Sequence, residues 1–186
     1  MLALGTEAPS FSLPNVTDGS IITLNHNSKA NAFLIAFVCN HCPYVVHLRE
    51  RFAALGNAAL GNGCAVFAIS ANDSEKYPAD SPELMAAEAR SNGYAFPYLH
   101  DQTQEIAKAY KAACTPDFFL FDTNRKLVYR GQFDGSRPGN GQPVTGDDLQ
   151  NALDSVTSGQ RVTIPQQPSL GCNIKWRPGN APEYFE

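Results

Sequence analysis

Apolar positions along this chain fall into three short continuous runs separated by stripes at helical spacing. Residues 32–38 (AFLIAFV), 64–69 (CAVFAI) and 118–121 (FFLF) are unbroken hydrophobic stretches bounded by turn-forming residues, the pattern of strands covered on both faces. After the first run, Val45, Leu48, Phe52 and Leu55 recur at helical spacing while Arg49, Glu50 and Arg51 take other faces. Pro43 suits the first turn of that helix, because its missing N–H leaves no bond unmade. Ser81-Pro82-Glu83 reads as a second helix start with Gly93 as its stop. Asp101 followed by Gln104 predicts a capping box for a short helix running to about Tyr110. Residues 127–133 alternate as a fourth strand after a turn at 122–126, and Thr145 with Asp148 caps a last helix that ends near Gly159. Upstream, residues 11–13 and 21–24 flank the turn Thr17-Asp18-Gly19-Ser20 and read as a hairpin.

This order predicts an α/β domain over residues 1–159, with a mixed central sheet, helices on both faces and an N-terminal β-hairpin. Residues 160–186 carry Pro165, Pro168, Pro178 and Pro182 and show no periodicity; they form a C-terminal tail that either wraps the domain or is loose. No internal repeat is present.

Composition narrows the function classes. The chain has 186 residues, 43% hydrophobic and 17% charged, which suits a single globular domain able to bury its own core. A net charge of -4 without a Lys/Arg cluster offers no footprint for nucleic acid or for an anionic membrane surface. No run reaches the length of a membrane span. The start, Met1-Leu2-Ala3-Leu4-Gly5-Thr6-Glu7, lacks the basic and apolar regions of a secretory signal, and five cysteines are too few for a disulfide scaffold. A cytoplasmic, reducing location is expected. The Gly/Pro-rich loop 135–146 has no G-K-[ST] and is no phosphate cradle, so no cofactor is expected.

The chemistry concentrates where the first strand meets the first helix. Cys39-Asn40-His41-Cys42 is a C-x-x-C followed by Pro43. A helix start exposes unpaired N–H groups and the positive end of the dipole, which favour a thiolate. On this reasoning Cys39 is the nucleophile with a lowered pKa and Cys42 the enclosed resolving thiol, the two cycling between dithiol and disulfide. His41 modulates the pair through charge or a hydrogen bond, with Asn40 and Pro43 shaping the loop. The bland alternatives are a zinc site and two inert core cysteines. Zinc is disfavoured because one C-x-x-C supplies two of four ligands, while Cys64, Cys114 and Cys172 stand alone and His26, His47 and His100 lack H-x(3–5)-H spacing. No metal is therefore assigned. The three histidines are read as solvated or satisfied, and Trp176 as a pin for the tail.

With the opening Gly5-Thr6-Glu7-Ala8-Pro9-Ser10-Phe11, the Cys39-to-Cys42 motif and Thr115-Pro116 before a strand, residues 4–158 resemble the redoxin branch of the thioredoxin superfamily, which includes AhpC/TSA proteins. The end, Ser169-Leu170-Gly171-Cys172-Asn173-Ile174-Lys175-Trp176, is similar to the tail of redoxins bearing a C-N-H-C-P motif. The resemblance implies a thioredoxin-like three-layer α/β/α fold and a cis Thr115–Pro116 bond lying against the C-x-x-C. It also implies that Thr115 and Pro116 bind substrate, Thr115 pairing with an extended peptide as an added strand. The implied partners are a protein or small-molecule disulfide and an unidentified thiol reductant or oxidant. Four positions depart from the relatives' patterns. Val38 replaces the usual Trp before the first cysteine, and Phe33 replaces the buried acid of thioredoxins. Ala36 and Ala32 stand where peroxiredoxins have Thr and Pro, which argues against efficient peroxide chemistry. Cys114 is either an accessory redox thiol or a small filler. Cys172 is a second candidate accessory thiol, able to pair with Cys114 or to receive the disulfide from the active site.

Overall fold

The computed structural model describes residues 2–27 and 29–185. Its centre is a five-stranded mixed sheet built from β3 (Ala32–Phe37), β4 (Cys64–Ser70), β5 (Tyr98–His100), β7 (Asp117–Asp122) and β8 (Leu127–Gly131), in the order β5-β4-β3-β7-β8. β3 runs parallel to β4 and antiparallel to β7. The continuous apolar runs arise because the central strands are covered on both sides. In β3, Ala32, Leu34 and Ala36 face one core, while Phe33, Ile35 and Phe37 face the other.

The first core is closed by α1 (Pro43–Gly61), α2 (Pro82–Ser91) and α4 (Asp147–Thr157). The second is closed by α3 (Glu105–Ala109) and by the hairpin of β1 (Ser12–Pro14) and β2 (Ile21–Thr23). Phe52 fixes α1 to the sheet: its fully buried ring lies 5.5 Å from Phe96 and 5.6 Å from Phe118, centroid to centroid. Burying such a ring is worth roughly 3–5 kcal/mol against alanine. That contact sets where the first turn of α1 sits, and hence Cys42.

Two predicted caps form differently. α4 begins at Gly146 with φ 74°, and Asp134 Oδ2 accepts from the N–H groups of Thr145 (2.7 Å) and Gly146 (2.6 Å), in place of a Thr145–Asp148 box. At α3, Gln104 does not reach back to Asp101. Its side chain donates instead to Ala71 O (2.6 Å) and Lys175 O (3.0 Å) and accepts from Arg177 N (3.0 Å), so it holds the C-terminal segment.

That segment wraps the domain as a strap. Gln166 and Gln167 bond along β8, through Gln166 Oε1 to Arg130 N and Gln167 O to Gln132 N, each at 3.0 Å. Beyond it, β9 (Cys172–Asn173) pairs antiparallel with β6 (Cys114–Thr115). Ile174 is buried, and Trp176 packs on the second core with an edge to Phe185. Among the described residues no helix is long and apolar enough to cross a membrane.

Candidate active site

β3 delivers Cys39 at the carboxyl edge of the sheet, and Pro43 starts α1 so that Cys42 becomes its N-cap residue, with φ -66° and ψ 123°. The two thiols lie near enough for each to shift the other's proton affinity, in opposite directions. Both also meet Thr115, whose peptide bond to Pro116 is cis. Cys39 Sγ is 3.3 Å from Thr115 Oγ1, and Cys42 Sγ is 3.1 Å from Thr115 O. Phe37 pairs with Asp117 across the sheet, and this register brings Thr115 and Pro116 to the thiols.

Neither sulfur is open. Cys39 is 2% exposed and Cys42 fully buried, whereas the helix-start argument makes Cys39 the accessible one. The cover is the chain's own tail. Register Thr115↔Cys172 in the β6–β9 bridge puts β9 on the Thr115 edge where a substrate strand was expected to add. Gly171 makes this approach possible, since a Cβ there would stand 2.0 Å from Thr115 O. Beside Pro116 the remaining space is about 10 Å³. A cavity of about 640 Å³ lies at the other end of β7, lined by Leu4, Asn31, Asp122 and Arg161, and contains no cysteine. Pairing of an outside peptide with Thr115 is therefore blocked in this conformation.

The charge distribution also departs from the helix-start argument. Cys42 is drawn down, first by the neighbouring Cys39 thiol, against its burial, and then by Cys172 and the Val45 N–H. Cys39 is pushed up by its neighbour Cys42, then by burial and by the Asp80 carboxylate. The Thr115 carbonyl works the other way on Cys42, because only the protonated thiol can donate to it. Cys172 thus favours charge on Cys42, while the Asp80 carboxylate disfavours it on Cys39.

The AhpC/TSA family profile matches residues 4–130. The chain belongs to the AhpC/TSA family. A hypothetical protein of Sinorhizobium meliloti 1021 is 50% identical, with a TM-score of 0.94 over 96% of this chain and 97% of that one. An uncharacterized conserved protein of Geobacillus kaustophilus is 51% identical, with a TM-score of 0.93 over 96% of this chain and 95% of that one. The thioredoxin domain of a thiol-disulfide oxidoreductase from Bacteroides vulgatus is 19% identical, with a TM-score of 0.62 over 83% of this chain and 97% of that domain, a likeness of fold. Among curated proteins the chain has no match. The fold is thus thioredoxin-like, in the redoxin branch. The profile match ends before the strap, whereas the two closely similar structures align over enough of the chain to include most of it.

In this AhpC/TSA protein the carboxylates near the thiols come from segments that the motif search passed over. Asp80, fully buried, accepts from Asn40 N (2.8 Å) and Asn72 Nδ2 (2.8 Å), and its Oδ2 stands 2.7 Å from His41 Nδ1. His41 stacks on Tyr77, rings 4° from parallel. Asn40 is held by Tyr98 OH (3.2 Å) and by its own bond to Ala79 O (2.9 Å). So His41 and Asn40 orient the loop through Asp80, with Pro43 opening the helix. Phe33, at the position where thioredoxins carry a buried acid, faces the second core; the sequence signal for Asp80 was only an acidic residue in a proline-bounded turn. Asp117, after Pro116, is buried, and burial pushes its carboxyl up to about 7.

The remaining cysteines divide. Cys64 is a core residue that burial pushes up to about 12. Cys114 is buried and donates to Pro116 O at 3.6 Å, and burial raises it first. Cys172 is half-buried beside Cys42 and is pushed up to about 11 by burial and then by its hydrogen bond to Cys42. All five are free thiols. His100, read as solvated or satisfied, is buried on β5, and desolvation lowers its pKa.

Proposed function

We propose that this protein is a thiol-disulfide oxidoreductase whose working group is the Cys39–Cys42 dithiol. The observation that carries the reading is the meeting of two sulfurs from the start of α1 on one residue, Thr115, through its Oγ1 and its carbonyl. A pair in which one thiol is drawn below its ordinary range has an attacking thiolate and, in the reverse direction, a good leaving group. In the reducing direction one thiolate of the pair attacks a substrate disulfide and releases the first substrate thiol. The second attacks the mixed disulfide and releases the other, leaving a Cys39–Cys42 bond. Partners are a protein or small-molecule disulfide and a thiol reductant or oxidant, in a cytoplasmic setting. Membership of the AhpC/TSA family and a fold shared with a thiol-disulfide oxidoreductase domain support this reading.

The test is oxidation of the purified protein with one equivalent of diamide, disulfide mapping, and turnover of a fluorescent test disulfide. The expected result is a Cys39–Cys42 bond, with turnover lost in both Cys39→Ser and Cys42→Ser. Turnover equal to wild type in either variant refutes the reading. The family also supports a peroxidase, in which peroxide oxidises Cys39 to a sulfenic acid and Cys42 closes the disulfide; saturable peroxide consumption would favour it, and oxidation at the rate of an ordinary thiol would remove it. A metal-binding reading is favoured by one observation, that ligand atoms of Cys39, His41 and Asp80 lie within 4.8 Å of one another. Both Asp80 oxygens already accept hydrogen bonds, which weighs against it. Metal analysis of chelator-free protein decides between them, and a metal-free preparation discards the metal.

A further inference from the structure

A dithiol that is 2% exposed at one sulfur and fully buried at the other cannot meet a bulky disulfide directly. The strap that covers it brings a third thiol to the same point. Register Thr115↔Cys172 places Cys172 across from the residue that both active-site sulfurs touch. Cys172 is among the groups that favour charge on Cys42, and of the three thiols it alone is part-exposed. Its position is held on both sides. Ser169 Oγ bonds to Gly131 O (2.6 Å), Ile174 N to Ala113 O (3.1 Å), and Lys175 N to Asn72 Oδ1 (2.8 Å).

We propose that Cys172 is a relay thiol through which the buried Cys39–Cys42 pair exchanges electrons with an outside thiol; this rests on the dithiol function proposed above. Starting from the Cys39–Cys42 disulfide, the Cys172 thiolate attacks Cys42 Sγ. The Cys42–Cys172 bond forms as the Cys39–Cys42 bond breaks, and Cys39 leaves as a thiolate and takes a proton. An outside thiol then attacks Cys172 Sγ, forming a mixed disulfide and releasing Cys42 as a thiolate. A second outside thiol attacks the first one's sulfur, and Cys172 returns as a thiol. Two outside thiols become one disulfide, and the pair gains two electrons and two protons.

The state of the pair times the step. While the pair is reduced, burial and then the charged Cys42 keep the proton on Cys172. A Cys39–Cys42 disulfide carries no charge, so that restraint is lifted when the relay is needed, and Lys175 favours the Cys172 thiolate. The part-exposed sulfur is the one an outside thiol can reach.

Two measurements test the relay. Cys39→Ser treated with one equivalent of diamide should contain a Cys42–Cys172 disulfide by peptide mapping. Oxidised Cys172→Ser should keep the Cys39–Cys42 bond, yet be reduced by reduced thioredoxin at least about tenfold more slowly than wild type, whereas Cys64→Ser should match wild type. A wild type that forms no Cys39–Cys42 bond overturns the dithiol function and the relay with it. A wild type that forms it, with no Cys42–Cys172 link in Cys39→Ser, or with Cys172→Ser reduced as fast as wild type, overturns the relay alone.

Discussion

Gly171→Ala is the sharpest probe of the strap. A Cβ at this position would lie 2.0 Å from Thr115 O, 2.6 Å from Thr115 C and 3.1 Å from Pro116 N, all backbone atoms of the sheet edge that cannot turn aside. Ordinary contact begins near 3.4 Å, so β9 must retreat by about 1.4 Å. That distance breaks the backbone pairing with Thr115, at about 1 kcal/mol per hydrogen bond, and adds strain of about 1–3 kcal/mol where the strap is pinned on either side. The net loss is roughly 2–4 kcal/mol, or a melting temperature lower by about 5–15 °C for a domain of this size. Reaction of the buried thiols with an alkylating reagent proceeds through local opening, so 2 kcal/mol less resistance raises its rate about 30-fold. The assay is iodoacetamide labelling under native conditions with peptide-resolved mass spectrometry, alongside a thermal melt. Gly61→Ala, where a Cβ meets nothing within 4 Å, is the control and should change neither readout. If Gly171→Ala melts and labels as wild type does, the strap does not seal the thiols.

Two further substitutions test the acids beside the site. Asp80→Asn removes a negative charge that contributes, after Cys42 and burial, to raising Cys39, so the thiolate titration of the pair followed by ultraviolet absorbance should move to lower pH; an unchanged curve refutes the role. Asp117 has a folded pKa of about 7 against an ordinary 3.8, so between these values the unfolded chain releases its proton first and stability falls as pH rises, levelling above about 7 at a cost on the order of 4 kcal/mol. Asp117→Asn should therefore melt higher than wild type at pH 8 and equal to it at pH 4, and a difference that does not grow across that range refutes it.

The elements that position the first cysteine were legible because each has a period. A strand buried on both faces gives an unbroken run, as in β3, and the stripe of Val45, Leu48, Phe52 and Leu55 faces the core as read, with Pro43 and Ser81 at the helix starts. β5, β6 and β9 were not legible, because two or three residues show no alternation and their pairing is decided by segments far away in sequence. Cys172 lies between prolines in a stretch without pattern, and its partner Thr115 is reached only through the register of β7 on β3. Gln104 looked like half of a capping box because the spacing from Asp101 fits one. The carbonyls of Ala71 and of Lys175 in the strap outbid that local bond, a tertiary choice invisible to a window of four residues. Asp80 reads in the chain as an acid before a helix start. Only the fold brings Asn40, Asn72 and His41 around it.

These arrangements together explain why a thioredoxin-like edge can be closed without disabling its thiols. An open Thr115 edge accepts any extended peptide, since strand pairing uses backbone groups that every peptide carries. Filling the edge with β9 removes that general affinity and leaves a single part-exposed sulfur as the point of exchange, so selectivity passes to whatever can reach Cys172. The two ways of reaching the pair give opposite signs. If entry requires the strap to lift, Gly171→Ala accelerates reduction of the Cys39–Cys42 bond by an outside protein thiol, and Cys172→Ser leaves it unchanged. If entry runs through the relay, Cys172→Ser slows that reduction, and Gly171→Ala slows it too, because it moves the relay sulfur away from Cys42. One reductant assayed against both variants therefore separates a lid from a carrier.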